Sequence, residues 1–499
     1  MVYKDNDVCQ SRLVVKRIDD GVPENHMCRF IKKFVKDKCS YLDEENYNSQ
    51  GRASYRKSSL MSIVVFAHFD DVFTGFKMSE NCLYHRLYQY VGDEITPSER
   101  TFQRFVKENH EAVEMLFKEL VLEFYRMEVT NFNHVAVDGT IVKANNSNYN
   151  VLKEKEIDKL IKIIKNNYNT EKIIQKGIKL SKTAIRFLTN EKTTDEERLN
   201  ILKELKTILQ ESRQKSIGLN DPDARWMLNK KGNIEQSYNL QSSVDYESKV
   251  IVALNISQKP TDHYQLEKQI KTIENNIETT PNTISADTGY HTIENITAAH
   301  NKDINLLVPT RKQSKELNNQ LNTNKYHKDN FKYDFDTDTF TCPENKILHL
   351  KGKYEVKPRK ENTPQKIKRV YYTHECHKCP QKDNCTQSNV RVITEYGSQL
   401  TQALQKKMNT PKAKTEYKKR SSTVEPPFCV LKQQKQLNKT VVNGKENVET
   451  RILLKAIAYN LKRLENIIQN KPENKDSYKN FVKKLENEYP NINFKITIF

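Results

Sequence analysis

The sequence predicts a mixed α/β fold, in which a helical N-terminal region precedes a sheet interrupted by a helical insertion and by a small cysteine-bearing one. Three observations predict it. Apolar residues recur at helical spacing through residues 1–125. Two β-branched runs, "HVAV" from His134 and "NTIS" from Asn282, each lead into an aspartate followed by a glycine-containing turn. Between them, Val250, Val252, Leu254 and Ile256 alternate with their neighbours, which is the period of a strand.

The N-terminal region carries Leu60, Ile63, Val64 and Ala67 on one helical stripe and Val113, Leu116, Phe117 and Leu120 on another. Between them, Pro97 and Ser98 in "ITPSERTFQRFVKEN" mark a helix start, and Arg100, Gln103, Arg104 and Lys107 recur along the helix that follows. Short helices ending in a basic one suggest a helix-turn-helix-like DNA reader, and a basic solvated face on an ordinary bundle fits the pattern equally well.

After the first strand, residues 151–217 read as a helical hairpin. Its stripes are Ile157, Leu160, Ile161 and Ile164, then Leu199, Leu202, Leu205 and Leu209, and Thr194 with Glu197 has the form of a capping box. Residues 236–257 read as an antiparallel hairpin turning at "VDYESK", followed by a helix over 262–276, the Asp287 strand and a strand in "NLLVPT" from Asn305. The order strand, hairpin, helix, strand, helix, strand predicts a mixed sheet of the ribonuclease H kind.

From residue 312 to 400 the apolar periodicity breaks down. Cys342, Cys376, Cys379 and Cys385 fall here, and a CxxC pair with two further cysteines is enough for a tetrahedral thiolate zinc site, with His374 or His377 able to replace one ligand. Unliganded thiols in a small surface subdomain are the competing reading. The expected organisation is a helical DNA-binding domain over 1–125, catalytic segments over 126–311 and 401–470, the Cys-rich insertion over 312–400, and a tail over 471–499.

The formal net charge of +19, from 83 Lys and Arg against 64 Asp and Glu, points to a polyanionic partner, of which nucleic acid is the commonest. The N-terminus lacks a hydrophobic signal core, and the apolar run Ile63 to Phe69 is far too short to span a bilayer, so a cytoplasmic protein is expected. Four of the nine cysteines cluster late in the chain, which fits reduced thiols or a metal site better than a secreted disulfide frame.

Three carboxylates carry the candidate chemistry. Asp138 and Asp287 are placed at strand ends, and Glu425 lies in the basic segment "YKKRSSTVEPPFCVLKQ". Because Pro426 and Pro427 follow it, Glu425 is expected at or just before a helix's first turn, capped by Ser422 or Thr423, with Tyr417, Arg420, Lys432 and Lys435 around it as phosphate-binding groups. Such a set would suit hard divalent cations, which take oxygen ligands and bridge phosphates. Taken singly, an aspartate of this kind is more often a turn or cap residue. Asn239, Gln241 and Asp245 read as structural members of the hairpin, and His263 as a residue near a helix start. The final helix, carrying Ile452, Leu453, Ala456, Tyr459, Asn460 and Leu464, is expected to pack behind the catalytic sheet.

Along nearly its whole length the chain resembles a DDE transposase of the insertion-sequence type. "VPENHMCRFIKKFV", "GRASYRKSSLMSIVVFAH" and "PSERTFQRF" resemble the InsH-like N-terminal domain of these enzymes. "VDGTIVKAN", "YNLQSSVD", "ADTGY", "YKKRSSTVEPPFCVLK" and "AIAYNLKRL" then occur in the family's order. The resemblance implies that Asp138, Asp287 and Glu425 form a metal-binding triad, and that Tyr417, Arg420, Glu425 and Lys432 match the family's Y, R, E, K signature. Four residues stand between Arg420 and Glu425 where three are usual, and Cys429 stands where relatives often have Gly. The implied activity uses Mg2+ or Mn2+ to cut DNA at terminal inverted repeats and join the freed 3′-OH to target DNA. Double-stranded DNA, a homodimer on that DNA and association with the nucleoid are implied with it. A nuclease that cuts without joining, and a domesticated or inactive repeat-binding protein, are the alternatives.

Overall fold

The computed structural model describes residues 17–24, 26–44, 54–167, 173, 176–229, 231–320, 322–356 and 366–469. The expected tail over 471–499 lies outside them. The chain divides into two compact units, Met1–Leu120 with Leu453–Phe499, and Val121–Ile452.

The first unit is helical. Its Lys57–Phe69 helix is buried from Ser58 to Phe69 on every face, with Ser58, Ser59, Ser62 and His68 as its buried polar residues, as expected of a central helix. Ser98 caps the Glu99–Glu108 helix, its hydroxyl accepting from Thr101 N at 3.3 Å, where Pro97 and Ser98 predicted a start. Phe102, Phe105 and Val106 of that helix are buried, and Arg100, Gln103, Arg104 and Lys107 lie on its exposed side. From Leu453 onward the last helix, Lys445–Gln469, belongs to this unit and not to the sheet behind which the sequence was expected to pack it. Lys455 Nζ stands 5.1 Å from the ring centre of Phe73, and Lys462 Nζ stands 3.8 Å from that of Phe69. Amphipathicity predicts that a helix buries an apolar face; it does not say against what.

The second unit is built on a mixed sheet. Its strands are β1 (His134–Lys143), β4 (Arg225–Leu228), β5 (Ile234–Asp245), β6 (Ile251–Ser257), β7 (Thr283–Ala286) and β8 (Asn305–Leu307), with β2 (Val151–Lys153) and β3 (Ser216–Gly218) paired apart from it. The order is β4-β5-β1-β7-β8, with β6 also on β5. β7 runs parallel to β1 and β8 parallel to β7, whereas β5 is antiparallel to β1, β4 and β6. The alternation over 250–256 does not leave a wet face, since every residue of β6 is buried. Helices supply cover, and Asn276 of the Leu266–Ile277 helix donates to Val252 O at 2.8 Å.

The segment after β1 forms the expected helices, Glu154–Lys165 and Asp195–Ser212, which bury Ile157, Leu160, Leu202, Leu205 and Leu209 in a core of their own. The capping box is present: Thr194 Oγ1 accepts from Glu197 N at 3.2 Å, and Glu197 Oε2 accepts from Thr194 N at 2.8 Å.

Residues 332–397 hold a second, antiparallel sheet that the sequence reading did not anticipate: β9 (Lys332–Asp334), β10 (Thr339–Thr341), β11 (Ile347–Val356), β12 (Lys366–Tyr372) and β13 (Ile393–Gly397), in the order β13-β12-β11-β10-β9. Its small core is Phe331, Phe340, Leu348, Tyr371 and Ile393. Lysine-rich strands such as "ILHLKGKYEV" spend their outward positions on charge, so the alternation was there to be read but was masked by polarity.

Candidate active site

The register of β1 on β7 builds the site. Val137 pairs with Ala286, where β7 ends, so Asp138 and Asp287 are the next residues of two adjacent parallel strands. Asp138 does not terminate its strand as expected. β1 continues to Lys143 because β5 goes on pairing with it on the other side, through Lys143 opposite Ser237. Asp287 does end β7: its Oδ1 accepts from Thr288 N at 2.7 Å and turns the chain into a single 3-10 turn that buries Tyr290.

Arg420 lies over this pair, its Nη1 3.3 Å from Asp138 Oδ2 and its Cζ 5.9 Å from the ring centre of Tyr417. Burial pushes the Asp138 carboxyl above its ordinary range, the charge of Arg420 pulls it down, and Asp287 and Asp262 push it up again. Burial would lower the Arg420 pKa, but the charge of Asp138 together with Tyr417 and Asp287 raises it. Arg420 Nη1 is buried and, although 3.3 Å from Asp138 Oδ2, makes no hydrogen bond.

Asp262 is a member of the cluster that the sequence reading missed. Its Oδ1 accepts from Gln241 Nε2 at 2.7 Å and from Asn239 Nδ2 at 3.1 Å, and Gln241 Oε1 accepts from Tyr290 Oη. The hairpin residues thus hold a third carboxylate beside the two aspartates. A Cβ at Gly139 would come 2.3 Å from Asp262 Oδ1 and 2.5 Å from Gln241 Nε2, so any larger residue after Asp138 must displace these two side-chain ends. "TDH" before a helix, with its short polar residues, was the one available signal.

Glu425 is placed otherwise than expected. The helix that carries it starts fourteen residues earlier, at Pro411, where Thr410 accepts from Ala413 N at 3.3 Å, and it runs to Cys429 with Pro426 and Pro427 inside it. Ser422 and Thr423 are not caps; both hydroxyls donate back to Lys419 O, at 2.9 and 3.0 Å. The prolines break local rules that tertiary packing overrides: Thr423, Val424 and Pro427 are buried. The helix then widens into a π turn over Val430–Gln434. Lys432 donates from Nζ to Thr140 Oγ1 at 2.5 Å and to Ile141 O at 3.3 Å, so it meets β1 just beyond Asp138. Lys435 is buried. Glu425, between Arg420 and Lys432 in sequence, is exposed.

Tertiary structure therefore brings together Asp138, Asp287, Tyr417 and Arg420, and sets Lys432 against the same strand. Among the described residues, no three His, Cys, Asp or Glu side chains are grouped to hold a metal ion. The donor chemistry of Asp138 and Asp287 suits a hard cation, and Asp138, with two carboxylates nearby, would gain from one. Glu425 does not stand with them in a ligating group. Cys342, Cys376, Cys379 and Cys385 do converge, lining one cavity of about 20 Å³, without forming a ready ligand set.

Residues 341–465 match a family model described as "Transposase DDE domain", and residues 16–108 match one described as "Transposase domain (DUF772)". The first match contains Tyr417, Arg420, Glu425 and Lys432, and Asp138 and Asp287 lie outside it. No curated protein matches the chain. Among solved structures, a piggyBac transposase in its synaptic complex with hairpin DNA is similar at 8% identity and a TM-score of 0.29, over 94% of this chain and 84% of that one. Among the described residues, no helix is long and apolar enough to cross a membrane.

Proposed function

We propose, from the premise that the chain is a DDE transposase of the insertion-sequence type, that it cuts DNA at the terminal inverted repeats of its element and joins the freed 3′ ends to target DNA. The observation that carries this reading is the pairing of Val137 with Ala286, which sets Asp138 and Asp287 side by side beneath Arg420. The sheet around them is read as ribonuclease H-like.

In this reading Asp138 and Asp287 hold Mg2+ or Mn2+, with Glu425 joining as third ligand on a DNA complex. Divalent ions at such a site supply activation of water or a 3′-hydroxyl and charge compensation at the leaving oxygen. Arg420, with Nη1 unfilled, binds the phosphate and steadies charge as it develops. Tyr417 orients Arg420, and Lys432 holds the backbone beside β1. No side chain becomes covalently attached to DNA. Arg100, Gln103, Arg104 and Lys107 are the proposed DNA contacts of the helical unit, and two copies of the chain are proposed to bring two element ends together on nucleoid DNA. The cysteine cavity is proposed to take zinc, since four thiols, Cys342, Cys376, Cys379 and Cys385, line it and Cys342 Sγ already accepts from Lys346 N at 3.2 Å, as a thiolate ligand does. The exposure of Glu425 is the one observation favouring an inactive repeat-binding protein.

The test uses purified protein, Mg2+ and a supercoiled plasmid carrying the gene with its native flanks, in parallel with Asp138→Asn. Flank cleavage and joined products, both lost in the variant, are expected. Flank-specific binding without cleavage in either protein would establish the binding protein instead.

A further inference from the structure

The second sheet has its own site. A cavity of about 480 Å³ lies between that sheet and the Arg311–Leu317 and Gln399–Met408 helices, and Arg369 of β12 lines it. Arg369 is only 7% exposed, and its Nε has no hydrogen-bond partner. No described residue forms an ion pair with it. Its cross-strand neighbour Glu395 is committed to Lys328 at 2.8 Å, and Asp338 already accepts from Tyr333 Oη and Tyr371 Oη, each at 2.6 Å. The charge of Asp338 acts on Arg369, but Nε stays unfilled, and a buried guanidinium with an unfilled donor is costly unless an oxyanion completes it. Arg311 and Lys332 stand exposed at the same cavity, and neither is in an ion pair among the described residues. Lys312 adds a further charge, although burial lowers its pKa.

The cavity is too large for an oxyanion alone. Tyr333 and Phe335 also line it, with ring centres 4.7 Å apart, and both are half-buried, so they leave ring surface against which a flat group can lie. Cationic side chains beside half-open aromatic rings are the elements that hold an unpaired nucleotide.

We infer that this cavity binds a nucleotide unit, its phosphate on Arg369 with Arg311 and Lys332 and its base against Tyr333 and Phe335. The inference rests on the transposase reading only for its source, which is either an unpaired nucleotide of the DNA or a free nucleotide acting as an effector.

The experiment uses the full chain without divalent metal. Fluorescence anisotropy follows a labelled five-residue oligothymidylate, with dTMP and inorganic phosphate as competitors, and a duplex carrying the element flank is measured separately. Arg369→Gln should weaken the oligonucleotide by about tenfold or more while changing duplex binding far less. Because Arg369 is buried, an Arg311→Ala, Lys332→Ala double variant at exposed positions accompanies it and should also weaken the oligonucleotide. Tight oligonucleotide binding displaced only by high dTMP assigns the DNA as source. A dTMP affinity equal to that of the oligonucleotide assigns a free nucleotide. Unchanged oligonucleotide binding in both variants, or displacement by phosphate as readily as by dTMP, overturns the site. Failure of the wild type to bind the flank duplex would count against the transposase reading instead.

Discussion

Arg420 Nη1 lies 3.3 Å from Asp138 Oδ2, in an ion pair that leaves that nitrogen without a hydrogen-bond acceptor. The arginine thus compensates the charge of the first aspartate, and its own pKa is raised by that charge. Its own charge is the main opposition to burial, which holds the Asp138 carboxyl above its ordinary range.

That balance predicts how stability depends on pH. A raised folded-state pKa means the native protein keeps this proton to higher pH than the unfolded chain does, so stability falls as pH rises through the window above the ordinary value of 3.8. Asp138→Asn should therefore melt at a higher temperature than wild type near pH 8, with the gap closing below pH ~4. Arg420→Gln should melt lower near pH 8 and should move the acid limb of cleavage to higher pH. Calorimetry and a pH–rate profile check both, and a wild-type-like melting profile for Asp138→Asn would refute the assignment.

Gly139 is packed against Asp262 and Gln241 at distances no Cβ tolerates. Gly139→Ala should cost roughly 1–3 kcal/mol, from overpacking of a filled site, and should reduce cleavage. Denaturant unfolding gives the first number, and a loss below about 0.5 kcal/mol would mean that the Asp262 turn yields easily.

Glu425 is exposed, so Glu425→Gln should leave stability within about 0.5 kcal/mol of wild type. If it completes the triad on DNA, cleavage should still fall by at least about a hundredfold. Cleavage at the wild-type rate would remove Glu425 from the site.

The cysteine cavity predicts about one zinc per chain by elemental analysis. Cys376→Ser with Cys379→Ser should lose it and lower the melting temperature. Cobalt substitution should give the absorption of a tetrahedral thiolate site, and metal-free protein that is equally stable would leave the four thiols unliganded.

In the helical unit, Asp93 accepts from Lys36 at 2.6 Å, Lys32 at 2.9 Å and Ser59 at 2.6 Å. Burial alone would raise its pKa, but hydrogen bonds from Lys36, Ser59 and Lys32 outweigh it and bring it to about 2. Its folded pKa is depressed, so the stability it contributes is present above pH ~4 and lost as pH falls toward 2. Asp93→Asn should cost about 1 kcal/mol at pH 7 after discounting for solvent screening, and nothing near pH 2. A cost independent of pH would contradict this account.

Local order was legible wherever short-range chemistry decides structure. The Thr194 and Glu197 box, the Ser98 start, the stripes over 154–212 and the Asp287 turn that closes β7 all follow from backbone donors and side-chain period, which neighbouring residues express by themselves. Tertiary structure alone decided the rest, because it depends on partners far off in sequence. The pairing of Val137 with Ala286 sets Asp138 beside Asp287 across a separation that no local pattern encodes. Asp262 became a site residue only when Asn239 and Gln241 folded onto it. Pro426 and Pro427 read as a helix start, yet burial of Val424 and Pro427 carries them inside a helix begun at Pro411, since packing energy outweighs what two missing backbone donors cost.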